Sequence, residues 1–437
     1  GEASPAGDVE SRIPQLISQL GDKDYSVRQR AQDELARLGV QAFDALTAAS
    51  NHEDFEIASR ARYLLRWIRS QSSTDKDPPE AKKLVEGYEL LQDDERMLRI
   101  SRLIRLPSLG GVPVACRLIR FERSDLVATY AALELLEYEP MDRGARARWS
   151  QLIRENLSAA NRKGARWLLA YIALRDAPAS AVESWSKLAE EEAKVLRASP
   201  EQTARGAAPL LTYLLADAYA RLGDQDKANL AAERAMQLGG GPEPAQLRAR
   251  LQTAFAMKRR GLFAWAEAEY RRVGEIGRPV EQVTSLVYLS EMLHDRSESL
   301  RAAEVRLQAA ERLEKLPPAE REQTKETLGL LGVEAPDIRA RMNYFLACHW
   351  EKKGDRAKHR EYLETAIKTS PQEVDTLIAL SKLPDQKQSE RDRTRKLISQ
   401  TCDLFRRDIA DDPEDASNYN QLAWLMGNTQ TNVDEAL

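Results

Sequence analysis

The residues best suited to chemistry in this chain are its four histidines, His52, His294, His349 and His359. His349 and His359 stand ten residues apart with Cys348 beside the first, so a metal cluster can be drawn there. No two histidines have the i, i+4 spacing that aims both rings from one helix face, and no metal is expected. Cys116, Cys348 and Cys402 are far apart and form no Cys-x-x-Cys pair, which excludes a disulfide framework and a zinc ribbon. Gly-x-Gly-x-x-Gly, Gly-Lys, His-Glu-x-x-His and Gly-x-Ser-x-Gly are all missing from the sequence. The chain is therefore read as a non-enzyme with no catalytic residue and no cofactor.

Charge is the next candidate for function. Residues 143–166 hold seven Lys or Arg, and residues 387–407 hold another seven with three acidic residues. Either stretch could touch phosphates. Neither has the interleaved aromatics of a single-strand binder, so solvated helix faces are the expectation. Net charge is −4, which sets up no global field for polyanions.

The elements that would carry these side chains are helices. Of 437 residues, 222 are Ala, Leu, Lys, Arg or Glu, a composition typical of long or repeated helices. No apolar run approaches the 18 residues of a membrane span. Residues 1–8 read as a disordered polar leader. The stretch from Gln71 to Glu80 holds two prolines and reads as a linker, drawn at 72–80. Beyond it, helices are expected at about 81–92, 94–106, 112–121, 125–138, 143–158, 161–175 and 179–197.

Two repeat patterns frame that region. Asp22, Val27, Arg28, Ala31, Leu35 and Leu38 recur in part thirty residues later as Ile57 and Ala61. This pattern resembles a HEAT repeat over 9–71, and the resemblance implies an Asp22–Arg28 ladder pair. The second unit departs from it, with His52 and Ala58 at the ladder positions. From residue 206 to 437 the chain resembles tetratricopeptide (TPR) repeats. Leu215, Ala216, Tyr219, Gly223-Asp224, Ala228, Ala232 and Ala235 make the first unit. The fourth unit keeps Leu346, Ala347, Trp350, Gly354-Asp355, Leu363, Ala366 and Pro371, with His359 at a position where the family has Ala. An inserted helix is expected near 318–338. The last unit has Leu422, Ala423, Met426 and Ala436, and its second helix is cut short at Leu437, which points to a longer parent chain. The implied fold is an all-α solenoid of stacked antiparallel helix pairs, HEAT-like then TPR, with an irregular helical solenoid over 81–205.

Family resemblance also implies where a partner would sit. TPR stacks bind on the concave face of their first helices. The corresponding residues are Tyr213, Asp217, Arg221, Arg248, Phe255, Lys258, Arg259, Tyr344, Lys352, Asn420 and Trp424, with Cys348 among them. That mixture suits a protein or peptide partner with acidic and apolar groups. The leading expectation is a non-catalytic protein–protein scaffold. A docking arm of a larger enzyme and a nucleic-acid binder using helices 143–166 are the alternatives. Nucleic acid is not the expected partner, and homo-oligomerisation is allowed. An exported bacterial setting is expected, with a cytoplasmic one as the alternative.

Overall fold

The computed structural model describes residues 5–69, 74–158, 160–330, 333, 335–413 and 416–430. Among them the chain is all-α, with 23 α-helices from Pro5–Gln19 to Ala416–Thr429 and no strand. The fold is a helical-repeat solenoid. It divides into two compact units, Gly1–Gly240 with Phe255–Phe263, and Gly241–Ala254 with Ala264–Leu437. Residues 5–8 of the expected leader form the first turn of Pro5–Gln19. Residues 1–4, the start of the expected linker and the expected stop at Leu437 lie outside the described residues.

In the first unit the thirty-residue repetition has a physical basis in its helix caps. Asp24 accepts the Ser26 N–H at 2.7 Å ahead of Tyr25–Leu38, and Asp54 accepts the Glu56 N–H at 2.8 Å ahead of Phe55–Arg69. Each cap satisfies an orphan donor and is worth about 1 kcal/mol. The buried stripe Ile57, Ala61, Leu64, Leu65 and Ile68 packs with Ala31, Leu35, Phe43 and Leu46. Phe121 joins this cluster, its ring 4.8 Å from that of Phe43 in an edge-on contact. The Asp22 carboxylate accepts the Asp24 N–H, so it does not meet Arg28. Arg28 donates instead to the Asp22 carbonyl at 2.7 Å, and its Nε lies 3.3 Å from Glu56 in the following repeat.

The remaining helices of this unit fall close to the expected spans, including Val112–Phe121, Asp125–Glu137, Arg143–Leu157, Lys163–Asp176 and Pro178–Ala198. The helix expected over 81–92 splits into Pro79–Val85 and Tyr88–Leu90, because Gly87 takes φ +65°. Trp149, Trp167 and Trp185 are fully buried, and the Tyr171 ring lies 6.5 Å from Trp149 and 5.9 Å from Trp185. Gly164 permits a close helix crossing: a Cβ there would sit 2.7 Å from the Ala132 methyl.

Four turns between helices share one geometry. Asp224, Leu262 and Asp355 each return a main-chain N–H to the carbonyl five residues back, at 3.0 Å. The residue before each is a left-handed glycine, Gly223, Gly261 or Gly354, which avoids the Cβ clash of that conformation. Asp224 and Asp355 then cap the next helix by accepting the Lys227 and Lys358 N–H groups. The Gly-Asp pair thus ends one helix and starts another. The fourth turn, where Glu298 bonds to the Leu293 carbonyl at 2.9 Å, has Ser297 at φ +64° in the glycine's place.

In the second unit, Ala302, Ala309 and Ala366 are fully buried at helix contacts. His359, at an alanine position, is 8% exposed and is accommodated by an Nδ1 contact of 2.9 Å to the Ala347 carbonyl. In the stretch 318–338, where an inserted helix was expected, the chain forms Pro318–Leu330 and then begins Ala335–Lys352. Arg250 and Glu269 form an ion pair at 2.5 Å with side chains only 3% and 1% exposed.

Two stability tests follow from these features. Ser297→Gly removes a strained left-handed side chain and is expected to stabilise the protein by roughly 1 kcal/mol. The measurement is a rise in urea midpoint at constant m-value. Glu269→Gln removes the carboxylate charge opposite the buried Arg250 guanidinium and is expected to cost about 3–5 kcal/mol, whereas replacing both residues with Met costs far less. Equal losses in the single and double variants would refute this account of the pair.

Candidate binding faces

In the first unit the polar groups converge on the end of Asp125–Glu137. All sides of this helix are apolar and buried, so Glu134 and Glu137 are buried with it, at 1% and 4% exposure. Glu134 accepts the Tyr130 hydroxyl at 2.7 Å. Burial, reinforced by the nearby Glu134 charge, pushes Glu137 up to about 8 against the pull of Arg260 and Arg105. Burial also raises Glu134 above the ordinary carboxylate range.

Glu139, just past the helix end, is the hub. It accepts the Tyr171 hydroxyl at 2.5 Å and the Arg175 guanidinium at 3.0 Å, with Arg146 and Arg260 each 3.5 Å away. Arg260 donates further to the Ala256 carbonyl at 3.0 Å and to that of Leu136. Burial carries the Tyr171 phenol up to about 12. These contacts hold carboxylates and guanidiniums to one another, and they leave rings outside.

The outer layer is built on Tyr138. Arg105 lies 4.6 Å and Arg259 5.6 Å from its ring centroid, and Arg105 donates to its hydroxyl at 2.7 Å. The Phe255 ring is 6.3 Å from Tyr138 and stays 42% exposed. Of the residues proposed from sequence, Phe255 and Arg259 meet here. Arg221 donates to the Arg175 carbonyl at 2.7 Å, and Asp217 lies 3.9 Å from Arg221. Burial raises the Asp217 carboxyl. Tyr213 is buried at 1% exposure, Lys258 is half-buried and Arg248 is exposed.

A separate cluster in the second unit gathers Tyr344 and Trp424. Arg341 binds Glu291 through two contacts of 3.1 and 3.2 Å, Glu373 at 2.8 Å, and Asp375. Its guanidinium stands 5.0 Å from the Tyr344 ring, and Trp424 donates its indole N–H to Asp375 at 3.0 Å. The surrounding carboxylates hold Arg341 firmly protonated, while burial brings Arg306 down to about 10. Burial raises Cys348 to about 11, so it is no ready nucleophile. Lys352 and Asn420 are exposed.

Glu139, Tyr138, Arg105 and Arg260, like Arg341 and Asp375, were not among the site residues expected from sequence. A signal existed for the first group: Glu134 and Glu137 punctuate an otherwise apolar helix, and Glu139 follows directly on its end. The Arg-rich stretch 143–166 is largely engaged within the fold. Arg154 pairs with Asp176, Arg162 with Asp125 and Lys163 with Glu192, at 2.7, 2.7 and 3.1 Å. Among the described residues no group of His, Cys, Asp and Glu could hold a metal, and no helix is long and apolar enough to cross a membrane. His294 stacks on Phe345 at 4.5 Å, and His52 accepts the Asp54 N–H at 3.0 Å.

No protein-family model and no characterised protein matches the chain. Among solved structures it is similar to a monomeric IFIT1 mutant with Gppp-AAAA, at 14% identity and TM-score 0.25, covering 98% of this chain and 92% of that one. It is also similar to the human IFIT1 dimer with PPP-AAAA, at 13% identity and TM-score 0.23, covering 97% and 92%. Likeness at this level concerns the helical fold and assigns no ligand. It corrects one expectation. The partner reading favoured a protein or peptide and set nucleic acid aside, yet these two structures were solved with Gppp-AAAA and PPP-AAAA, so that exclusion is withdrawn.

The pH dependence of stability tests the Glu137 environment. Its folded value is raised above the unfolded one, so its contribution is full below about pH 4.5 and is lost as pH rises towards 8. The decline approaches about 1.4 kcal/mol per pH unit. Glu137→Gln is expected to flatten it in urea titrations between pH 5.5 and 8.5. Parallel curves for both proteins would mean that Glu137 is already ionised in the fold.

Proposed function

We propose that the chain is a non-catalytic scaffold of HEAT-like and TPR-like repeats that docks a partner on the ring-and-guanidinium face around Tyr138 and Phe255. The carrying observation is the division of labour at that face. The Glu139 carboxylate is held by arginines and the Tyr171 hydroxyl, while Phe255 remains 42% exposed beside Tyr138 and two guanidiniums. Exposed rings flanked by arginine are what hot spots are made of. Each guanidinium–ring contact adds about 0.5–1 kcal/mol of order to the face before any partner arrives.

The test is site-specific photocrosslinking. A benzophenone side chain at position 255 is expected to give a discrete adduct in lysate of the source cells. The same group at position 230, where Leu230 is 68% exposed, is expected to give none. Protease and nuclease digestion then type the adduct. Equal crosslinking at both positions, or none at either, would remove this face as the docking surface.

A further inference from the structure

We infer that the outer face of the helix Phe55–Arg69 is a binding surface for single-stranded nucleic acid. It lies apart from the Tyr138–Phe255 face and does not depend on it. The helix buries Ile57, Ala58, Ala61, Leu64, Leu65 and Ile68. Its other side should be polar, as on an ordinary amphipathic helix. Instead Phe55, Tyr63 and Trp67 stand out at 78%, 53% and 42% exposure. Arg62 and Arg66 are exposed between them.

Helical spacing sorts these side chains into two rows. Tyr63 and Trp67 are four residues apart, as are Arg62 and Arg66, so each row advances about 6 Å along the axis. At about 100° per residue, Phe55 falls between the two arginines and the other rings lie alongside. Neither Arg62 nor Arg66 forms an ion pair among the described residues. Arg62 donates only to the Ser50 carbonyl, at 3.0 Å, which steadies the guanidinium without neutralising it. Arg28 and Arg60 differ, since both approach the Glu56 carboxylate. They also flank the Tyr25 ring at 5.6 and 5.9 Å, and Tyr25 is itself 63% exposed. The surface of rings and cations therefore continues onto the start of the helix Tyr25–Leu38.

Charge complementarity selects the occupant. Uncompensated guanidiniums call for an anion, and exposed ring faces call for planar groups to stack on. A single strand supplies both along one line, with bases over the ring row and phosphates over the arginine row. An anionic membrane would meet the charge, but interfacial helices also insert aliphatic side chains, and every large exposed hydrophobic on this face is aromatic.

Fluorescence anisotropy of the full chain with labelled oligo-U of 15 nucleotides at 50 mM salt is the direct test. Binding is expected, with an affinity loss of roughly tenfold for Tyr63→Ala and for Trp67→Ala and near retention in Trp67→Phe. Arg62→Gln with Arg66→Gln is expected to lower the slope of log K against log salt by about 1.4, two phosphates' worth. Unchanged thermal melting checks that each variant is folded. Leu230→Ala, at an exposed position on the helix Gln225–Leu238, should bind as well as the parent, and the crosslink at position 255 is read separately, so failure here is separable from failure of the other face. Absence of binding, or binding indifferent to these substitutions, overturns the inference. Co-sedimentation with phosphatidylserine vesicles that is lost in the same variants, with no oligo-U binding, overturns it in favour of a lipid surface.

Discussion

The first unit depends on the accommodation of one buried carboxylate. Removing the Glu139 charge from water costs several kcal/mol unless the fold surrounds it with donors. The fold does so with Tyr171 and Arg175 from one helix, Arg146 from another and Arg260 from a segment more than a hundred residues away in sequence. Each donor is thereby pinned, because leaving would strand a charge. The Arg259 guanidinium also reaches the Glu139 carbonyl, at 3.3 Å. One acidic residue thus ties the segment 255–263 to the end of Asp125–Glu137 and holds Phe255 beside Tyr138.

The same logic recurs in the second unit with the signs reversed. Arg341 is the central ion, and Glu291, Glu373 and Asp375 surround it. Its reach to Tyr344 and the Trp424–Asp375 bond show how an internal ion cluster positions rings at its margin. In both units the charges order the structure and the aromatics remain to make contact.

Much of the fold could be read from local rules. The Gly-Asp turns, the alanines at close helix contacts and the repetition at thirty residues each act within a few residues or one helix pair. The expected helices between 93 and 198 therefore came close to the observed ones. Reading failed where a local pattern had two outcomes. Asp22 and Arg28 had the spacing of a ladder pair, but Asp22 was already held by the Asp24 N–H, and Arg28 turned to Glu56. Tyr213 and Phe255 both occupied groove positions by sequence, yet one is buried and the other exposed. That difference depends on which neighbouring helix covers each residue. The stripe Arg62, Tyr63, Arg66 and Trp67 was visible in the sequence, but only its burial pattern shows that the aromatics face outward.

What the sequence determined by itself was the all-helical character, the turn chemistry and the absence of familiar catalytic motifs, since these follow from propensity, backbone conformation and residue type. Which charges are paired and which rings are exposed came from tertiary structure alone. The partners of Glu139 come from three separate stretches of chain, and no short-range spacing encodes their meeting. Electrostatic pairing acts through space at a few ångströms, so its outcome exists only once the helices have packed.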